Sequence, residues 1–550
     1  MLTGGRLLVD CLLAQGVDRV FCVPGESYLP VLDALYQQPI ETIVARQEGA
    51  AAMMAEADGK LTGRPGIAFV TRGPGATNAS SGVHVAMQDG TPLILFVGQI
   101  DRGVGGREAF QEVDYRQMFG KLAKWTDEIT DAARIPEILS HAFHVAMNGR
   151  PGPVVLALPE DMLRERVDAA PGPRVSASPI GPVATDVERF AAWTDAAERP
   201  VLILGGSRWD AAATIAIAEY AHAAAIPVAV SFRRQQLFDH TDANYAGDVG
   251  IGANPALVQR LRSADLVILL GARMSENPSQ NFDLFDIPSP HQQLVHILNG
   301  AEELGRIYHA DLAINASPLA FVTALPAPAV AHIEARATAV IEAHRDYIAW
   351  SDPEPTHTVA DETVDMRRVV RSLNVVLPAD AIVTNGAGNY ASWLHRFYAY
   401  EGLGTQLAPT SGSMGYGLPA AIAAKRRFPD RTVVCLAGDG CFQMTGMELG
   451  TAVQAAANVI VIVIDNASFG TIRLHQERDY PRRVIATTLE NPDFADLARA
   501  FGAHGQTVRS IDDFEPALRR AMNCGRAALI HVHTDPEHIS PATTITALRG

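Results

Sequence analysis

Two polar residues that follow buried, apolar segments are the first candidates for chemistry. Asp439 stands in Gly438-Asp439-Gly440 after the apolar run 433–437, and Asn466 follows the β-branched run 459–464. Apolar runs on both sides of a helical pattern, here 446–457, predict a βαβ unit with both strands in a parallel sheet. The two polar residues then lie side by side at the carboxyl ends of the strands, where open α/β sheets bind ligands. Carboxylate and amide oxygens favour Mg²⁺ or Ca²⁺ carrying a diphosphate, although an ordinary turn with Asn466 as a helix cap has the same residues.

Short β-branched runs alternate with Ala-rich helical segments along the whole chain, which predicts an α/β fold of three doubly wound parallel-sheet domains. We expect these domains at residues 1–165, 186–326 and 365–550, with linkers at 159–184 and 326–355 and a helix at about 332–350 in the second linker. The expected strands are residues 19–23, 42–45, 66–71, 93–97 and 154–158, then 201–204, 227–230, 266–270 and 294–298, and finally 381–384, 433–437, 459–464 and 528–533.

Composition excludes several classes of function. The chain has 550 residues, of which 48% are hydrophobic and 19% charged, as in globular proteins. A net charge of −16 argues against a nucleic acid as partner, because no basic stripe is present to neutralise phosphates. No apolar run approaches the ~20 residues of a membrane span. The five scattered cysteines are typical of reduced core residues, so we expect a cytoplasmic protein that contacts no membrane.

The Gly438-Asp439-Gly440 motif followed by Asn466 resembles the signature of thiamine-diphosphate (ThDP) enzymes, and the resemblance covers essentially the whole chain. It implies an N-terminal pyrimidine-binding domain, a central domain and a C-terminal diphosphate-binding domain. It also implies that Mg²⁺ is bound by Asp439, Asn466 and the main-chain carbonyl of Ser468.

Glu48 follows a predicted strand and opens an Ala-rich helix, within Arg46-Gln47-Glu48-Gly49-Ala50-Ala51. A glutamate at this place commonly stabilises the helix dipole, by ~0.3–1 kcal/mol. Beside the metal motif, the segment resembles that of the activating glutamate of ThDP enzymes. This resemblance implies that the Glu48 carboxyl group bonds to N1′ of the aminopyrimidine and favours the imino tautomer, whose N4′ takes the proton from thiazolium C2.

Two Gly-rich segments of the last domain resemble further cofactor contacts of the family. In Gly412-Ser413-Met414, the methionine is expected to support the bent cofactor, while the Gly412 carbonyl and the Met414 amide bond to the pyrimidine edge. Gly388 and Asn389 match positions that contact the diphosphate, at a turn whose amides suit phosphate oxygens. The resemblance implies further cofactor contacts from Gly438, Gly440, Cys441, Phe469 and Gly470.

Two segments of the first domain resemble the acetolactate synthase branch of the family. Residues 73–78 (GPGATN) and 109–112 (AFQE) resemble its segments, and Phe110 and Gln111 are then expected to face the reacting end of the cofactor. Ser27 matches a position near the reacting carbon. In relatives, the two halves of the site meet across a subunit interface, so the resemblance implies a homodimer or homotetramer.

Three departures put the acceptor substrate and the flavin in doubt. Asn277 replaces an arginine that helps to bind the carboxylate of the second 2-keto acid, and His475 stands where the family has a tryptophan that shapes the acceptor pocket. Leu298 and Gly300 replace acidic residues near FAD, so FAD binding is doubtful, although an adenine nucleotide without flavin stays open because Arg273 is retained.

We therefore predict a ThDP- and Mg²⁺-dependent carboligase or decarboxylase (a transferase or lyase) that acts on small 2-keto acids. The alternative is a ThDP-dependent C–C lyase or an acyl or aldehyde carboligase, similar to benzaldehyde lyase or 2-hydroxyacyl-CoA lyase. A ThDP-binding regulatory protein without activity is a third hypothesis, which an intact Glu48, Asp439, Asn466 and Met414 disfavour. A pyridine-nucleotide dehydrogenase is disfavoured because no GxGxxG motif opens a βαβ unit.

Overall fold

The structure, a computed structural model, describes residues 1–352 and 360–550. Its chain builds three six-stranded sheets, and every strand pairing inside these sheets is parallel. The predicted fold class, three doubly wound α/β domains, is thereby confirmed. The domain boundaries stay a prediction, and the end of the second linker, residues 353–355, lies outside the described residues.

The sheet of the first domain has the order β3-β2-β4-β5-β7-β6, and a separate antiparallel pair joins β1 to β8. Its strands are β1 Leu2–Thr3, β2 Arg19–Cys22, β3 Glu41–Val44, β4 Gly66–Val70, β5 Leu93–Gln99, β6 Trp125–Glu128, β7 Pro153–Pro159 and β8 Arg166–Val167. Its helices are α1 Gly4–Ala14, α2 Leu29–Leu35, α3 Glu48–Thr62, α4 Pro74–Asp89, α5 Tyr115–Phe119, α6 Ile135–Met147 and α7 Glu160–Arg164. The strand order reverses between β2 and β4, which is the topological switch point of this sheet.

The central sheet has the order β11-β10-β9-β12-β13-β14, with its switch point between β9 and β12. Its strands are β9 Pro200–Leu204, β10 Val228–Ser231, β11 Tyr245–Val249, β12 Leu266–Leu270, β13 Gln293–Leu298 and β14 Leu312–Asn315. Its helices are α8 Ala184–Ala196, α9 Ala211–Ala224, α10 Pro255–Ser263, α11 Pro318–Val322 and α12 Ile333–Ser351.

The sheet of the third domain has the order β16-β15-β17-β18-β20-β19, and its switch point lies between β15 and β17. Its strands are β15 Ile382–Asn385, β16 Gln406–Leu407, β17 Val433–Gly438, β18 Ile460–Asp465, β19 His504–Val508 and β20 Ala528–His533. Its helices are α13 Met366–Val376, α14 Tyr390–Phe397, α15 Gly417–Arg427, α16 Asp439–Gln443, α17 Leu449–Gln454, α18 Gly470–Asp479, α19 Phe494–Ala500, α20 Ile511–Asn523 and α21 Ile545–Arg549.

The structure corrects the predicted elements in two ways. The prediction of a linker at 159–184 was wrong over its first third. Helix α7 occupies Glu160–Arg164 there, and strand β8 occupies Arg166–Val167 and pairs with β1. Each six-stranded sheet also has strands that the hydrophobic pattern did not indicate. The edge strands β6 (WTDE) and β19 (HGQTV) are examples, since both are polar and only partly buried. An edge strand buries little apolar surface, so it lacks the β-branched run that predicts a central strand.

Helix α3 of the first domain packs on α15 of the third within one shared core, which positions the two outer domains. Alanines on both helices allow the close approach. Buried polar contacts reinforce it: Tyr416 donates a hydrogen bond to Glu56 at 2.5 Å, and Arg427 pairs with Asp58 at 2.8 Å. Among the described helices, none is long and apolar enough to cross a membrane.

Candidate metal and cofactor site

Asp439 lies at the start of α16, directly after β17, and only 2% of its surface is exposed. One carboxylate oxygen accepts a hydrogen bond from the Gly440 amide at 2.9 Å, and the other accepts one from the Ser468 amide at 3.2 Å. Burial raises the pKa of Asp439, because desolvation disfavours the charged form. A cation beside this carboxylate would favour its charged form.

Asn466 follows β18, and β17 and β18 are neighbouring parallel strands, as predicted. Its side-chain oxygen accepts a hydrogen bond from the same Ser468 amide at 3.1 Å. One main-chain amide therefore draws the oxygens of Asp439 and Asn466 to the same place. These oxygens form the kind of donor set that a hard divalent cation prefers.

The loop after Asn466 is held by the segment that follows α18. The hydroxyl of Ser468 and the amide of Phe469 both donate to the carbonyl of Thr487, each at 2.9 Å. This double attachment fixes the main chain at Ser468, whose carbonyl is the predicted third ligand.

Asn491 is a residue of this site that the sequence analysis missed. Its side-chain amide donates to Asp439 and to Asp465, both at 2.8 Å, and its oxygen accepts from Gln443 at 3.0 Å. Asn491 stands in Asn-Pro-Asp before α19, a composition that indicates only a loop and a helix start. No local signal distinguishes it, since its partners are distant in sequence.

Asp465 and His531 extend this network away from the metal site. His531 Nε2 lies 2.8 Å from Asp465 Oδ2, and both side chains are buried. Although burial opposes ionisation, hydrogen bonds from His531, the Ala467 amide and Asn491 lower the pKa of Asp465 below its ordinary value. Asn491 thus bridges a carboxylate that is held ionised and the carboxylate that is predicted to bind the metal.

A cavity lies beside Asp439, and glycines allow the surrounding loops to pack closely around it. A Cβ on Gly440 would lie 2.5 Å from the Phe469 ring, and a Cβ on Gly470 would lie 2.5 Å from the Asn389 side chain. The cavity is lined by Asn389, Tyr390, Trp393, Gly438, Asp439, Asn466 and His538, among others. Glycine is required at these two positions for the loops to approach each other, as a phosphate-binding cradle requires.

The segment 412–414 lies against the same place. Gly412 has a φ of +68°, and Met414 packs partly buried against the core of the third domain. The next amide, that of Gly415, donates to the sulfur of Cys441 at 3.3 Å, and Tyr390 donates to the same sulfur at 3.3 Å. Cys441 therefore ties the methionine segment to the loop after β17, and Ser413 lies partly buried between them.

Glu48 is the first residue of α3, as predicted, and it is partly exposed. Asn78 on α4 donates to one of its carboxylate oxygens at 2.9 Å. A Cβ on Gly75 would lie 3.4 Å from the other oxygen, so the absence of a side chain there leaves room beside it. The carboxyl group is oriented by one hydrogen bond and has one further oxygen available.

The other first-domain candidates differ in exposure. Phe110 is 73% exposed, and Gln111 has a φ of +66° and packs on Gly73. Ser27 is fully buried, with its hydroxyl 2.9 Å from that of Thr71. Phe110 and Gln111 lie at the surface of the loop region, whereas Ser27 is enclosed in the domain.

The two halves of the predicted site are separate in this single chain. In residues 1–352 and 360–550, no hydrogen bond or ion pair joins Glu48, Phe110 or Gln111 to Asp439, Asn466 or Met414. His475, the predicted acceptor-pocket residue, is exposed on α18. The structure therefore brings together the candidates of the third domain, and no such contact joins them to the first-domain candidates in the described part of the chain.

The central domain has its own polar cavity at the switch point between β9 and β12. It is lined by Asp89, Arg150, Gly206, Arg234, Arg273, Asn277, Leu298, Gly300 and Glu303, among others. Burial lowers the pKa of Arg150 to about 10. Arg150 and Arg273 each lie 3.7 Å from Glu303, so one carboxylate neutralises two guanidinium groups only in part.

Comparisons with known proteins agree with this geometry. The chain matches three domains of thiamine pyrophosphate (ThDP) enzymes: the N-terminal TPP binding domain at residues 2–118, the central domain at 187–325 and the C-terminal TPP binding domain at 386–532.

Curated relatives match over almost their whole length. The chain is 31% identical to the acetolactate synthase isozyme 2 large subunit of Escherichia coli K12, covering 97% of this chain and 96% of the relative. It is 30% identical to the acetolactate synthase of Bacillus subtilis 168, covering 97% and 93%. The chain therefore belongs to the family of thiamine-diphosphate enzymes.

Proposed function

We propose that this chain is a ThDP- and Mg²⁺-dependent carboligase or decarboxylase that acts on small 2-keto acids. The observation that carries the proposal is the convergence of the Asp439 and Asn466 oxygens on the Ser468 amide, at the carboxyl ends of the neighbouring strands β17 and β18. The relatives named acetolactate synthase support the carboligase class.

The residues of the third domain fit the cofactor. Asp439, Asn466 and the Ser468 carbonyl would hold Mg²⁺, since all three offer oxygen ligands. The glycine-lined cavity beside them would take the diphosphate, and Met414 would support the rings. The residues proposed to contact the cofactor there are Gly388, Asn389, Gly412, Ser413, Gly438, Gly440, Cys441, Phe469 and Gly470.

ThDP supplies a thiazolium ring that stabilises negative charge on a former carbonyl carbon. Glu48 would exchange a proton with the pyrimidine ring, and Asn78 keeps its carboxyl group in one orientation through the 2.9 Å hydrogen bond. Phe110 and Gln111 would contact the reacting substrate. Ser27, which is buried, would act on substrate only through its neighbours.

A second copy of the chain would complete the site. Glu48 and Asp439 have no direct connection within one chain, and the exposed Phe110 ring lies in the predicted reaction region. We propose a homodimer, or a tetramer of two dimers, in which the first domain of one copy faces the third domain of the other. The five cysteines, all within the described ranges, are free thiols, which supports a reducing cytoplasmic compartment.

A second candidate function is a ThDP-dependent C–C lyase, or a carboligase that joins acyl or aldehyde groups. It is favoured by Asn277, which lines the central cavity with a neutral amide where the resemblance expects a guanidinium. An amide lacks the charge that a fixed guanidinium offers to a carboxylate.

The same cavity supports the proposal that no flavin binds. Leu298 and Gly300 line it without a side-chain acceptor. A Cβ on Gly300 would lie 3.0 Å from the Arg150 amide, so this position has no room for the acidic side chain of the family. Arg150, Arg234 and Arg273 leave the cavity cationic, which is compatible with an adenine nucleotide that lacks flavin.

The function is tested with purified protein, ThDP and Mg²⁺, incubated with a panel of 2-keto acids and aldehydes. We expect CO₂ release from at least one 2-keto acid and formation of a new carbon–carbon bond, detected by mass spectrometry. Cleavage of 2-hydroxyketones without CO₂ release would favour the lyase. Binding of ThDP without any turnover across the panel would contradict both candidates and support a regulatory protein.

A further inference from the structure

An ion pair occupies the switch point of the first sheet. Glu26 follows β2 and Arg72 follows β4, the two strands between which the strand order reverses. Arg72 Nη2 lies 3.2 Å from Glu26 Oε1. The Arg72 side chain is 10% exposed, whereas that of Glu26 is 73% exposed. Glu26 thus presents a carboxylate at the edge where open α/β sheets bind ligands.

The positive charge of Arg72 is shared among several partners. Its Nη1 lies 3.3 Å from Glu160, and its Nε donates to the carbonyl of Phe110 at 3.2 Å. Glu160 also pairs with Arg164, so the two carboxylates and the two guanidinium groups balance in charge. Because Glu26 is the more exposed partner of Arg72, its carboxylate is the one that faces the region beside the ion pair.

The same guanidinium places Glu26 next to the Phe110 loop. A guanidinium is a small, planar and rigid group, so the two acceptors that it binds through Nη2 and Nε are close neighbours. Phe110 is a predicted contact of the reacting substrate, and its ring is 73% exposed. With Phe110 at the reacting end, as proposed above, Glu26 lies at that end as well.

We propose that Glu26 is a specificity-determining residue, whose carboxylate restricts the acceptor substrate to uncharged carbonyl compounds such as aldehydes. The inference rests on the proposed function. A second 2-keto acid in the acceptor position would keep its carboxylate beside Glu26, and like charges in contact are strongly unfavourable. Asn277, an amide where the family has an arginine, offers no compensating positive charge.

The reaction that follows is balanced without an oxidant or reductant. The bond between the carbonyl carbon and the carboxylate of the 2-keto acid breaks, and CO₂ leaves. A bond then forms between that carbonyl carbon and the aldehyde carbon, and the aldehyde oxygen takes up one proton from solvent. The product is a neutral 2-hydroxyketone.

The test compares acceptors on the ThDP- and Mg²⁺-loaded enzyme. Each 2-keto acid of a panel that begins with pyruvate and 2-oxobutyrate is supplied alone or with equimolar acetaldehyde, and products are quantified by mass spectrometry. We expect the wild type to form mainly the hydroxyketone. Glu26→Gln, which keeps the shape and the hydrogen bond to Arg72, should shift the product ratio toward the 2-hydroxy-2-carboxylate by about tenfold.

Matched variants separate charge from structure. Glu26→Asp should keep the wild-type ratio, and Glu137→Gln, an exposed change on α6 of the same domain, should do so too. Glu26→Ala is the second neutral variant, in case Glu26→Gln does not fold.

Two results would overturn the inference while leaving the proposed function intact. One is a wild type that prefers a second 2-keto acid as acceptor, and the other is a folded, active neutral variant with an unchanged ratio. If no 2-keto acid of the panel loses CO₂, the proposed function itself is wrong.

Discussion

The first and third domains have the same topology and different chemistry at the same place. When the strands are numbered within each sheet, both sheets have the order 2-1-3-4-6-5. In both, the strand order reverses between the first and third strands, which is the switch point. In the third domain this point is lined by Gly438, by the amides of Asn389 and Asn466, and by three carboxylates, of which Asp439 directly follows β17. In the first domain it holds the Glu26–Arg72 ion pair, and Glu48 lies at the start of α3, after the neighbouring strand β3.

The difference lies entirely in the loops. After β17 and β18, small residues let main-chain groups approach one another, which suits a metal-bound diphosphate. After β2 and β4, charged side chains orient one another and leave carboxylates exposed. On the proposed function, the same strand arrangement would support anion binding in the third domain and proton transfer in the first, because strands set position and loops set chemistry.

The largest expected effect comes from Asp439→Ala in the third domain. Removing this ligand should abolish binding of both Mg²⁺ and ThDP in titration calorimetry, because the diphosphate is held through the metal. Asp430→Ala, an exposed change after α15, is the control and should bind as the wild type does. Unchanged ThDP affinity in Asp439→Ala would remove the metal site from the third domain.

Glu48→Gln tests the proton-transfer role of the first domain. Turnover should fall below detection while the ThDP dissociation constant stays within about tenfold of the wild type, since glutamine can bond but cannot release a proton. The measurement is calorimetry in parallel with CO₂ release. Asn78→Ala, which removes only the orienting hydrogen bond, should keep part of the activity. Near-normal turnover of Glu48→Gln would show that the carboxyl group is dispensable.

Mixing two inactive variants tests whether the domains act across copies. Glu48→Gln and Asp439→Ala chains, exchanged by mild dissociation and reassociation, should recover about one quarter of wild-type activity, because half of the dimers are mixed and each has one intact site. Subunit exchange is verified by native mass spectrometry of differently tagged chains. No recovery after complete exchange would mean that both halves come from one chain.

A smaller effect is expected for Asn491→Ala. Its amide donates to Asp439, the proposed metal ligand, at 2.8 Å, so its loss should weaken Mg²⁺ binding by about tenfold while ThDP still binds at saturating Mg²⁺. Mn²⁺ binding followed by electron paramagnetic resonance measures this directly. Asn458→Ala, an exposed asparagine that bonds only to a main-chain carbonyl, is the control. Equal Mn²⁺ affinities in the two variants would assign Asn491 no positioning role.

The central domain adds a third switch point to the comparison. There we expect no bound flavin. The purified protein should be colourless, without flavin absorbance near 450 nm, since Leu298 and Gly300 offer no acceptor to a ribose or adenine group. Denaturation followed by absorbance and fluorescence of the supernatant measures released flavin. A stoichiometric amount would overturn this expectation.

Much of the third-domain site was determined by sequence alone. The apolar runs that became β17 and β18 are long and β-branched, so they predicted buried parallel strands, and Asp439 and Asn466 follow them directly. Once two strands are neighbours, the residues at their ends must be neighbours as well. Glu48 at the start of α3 followed in the same way, because a polar residue between a strand and an Ala-rich segment marks a helix start.

Other parts of the site were decided only by the tertiary structure. Asn491 lies 52 residues from Asp439 and 26 from Asp465, and it contacts both through a loop with no pattern of its own. Arg72 likewise gathers Glu26, Glu160 and the Phe110 carbonyl from three separate segments of the chain. Periodicity reports which face of an element is buried, whereas these contacts depend on how distant loops are brought together by the sheet. The sequence by itself therefore determined the strands and the residues at their ends, and the folded chain determined which side chains hold those residues in place.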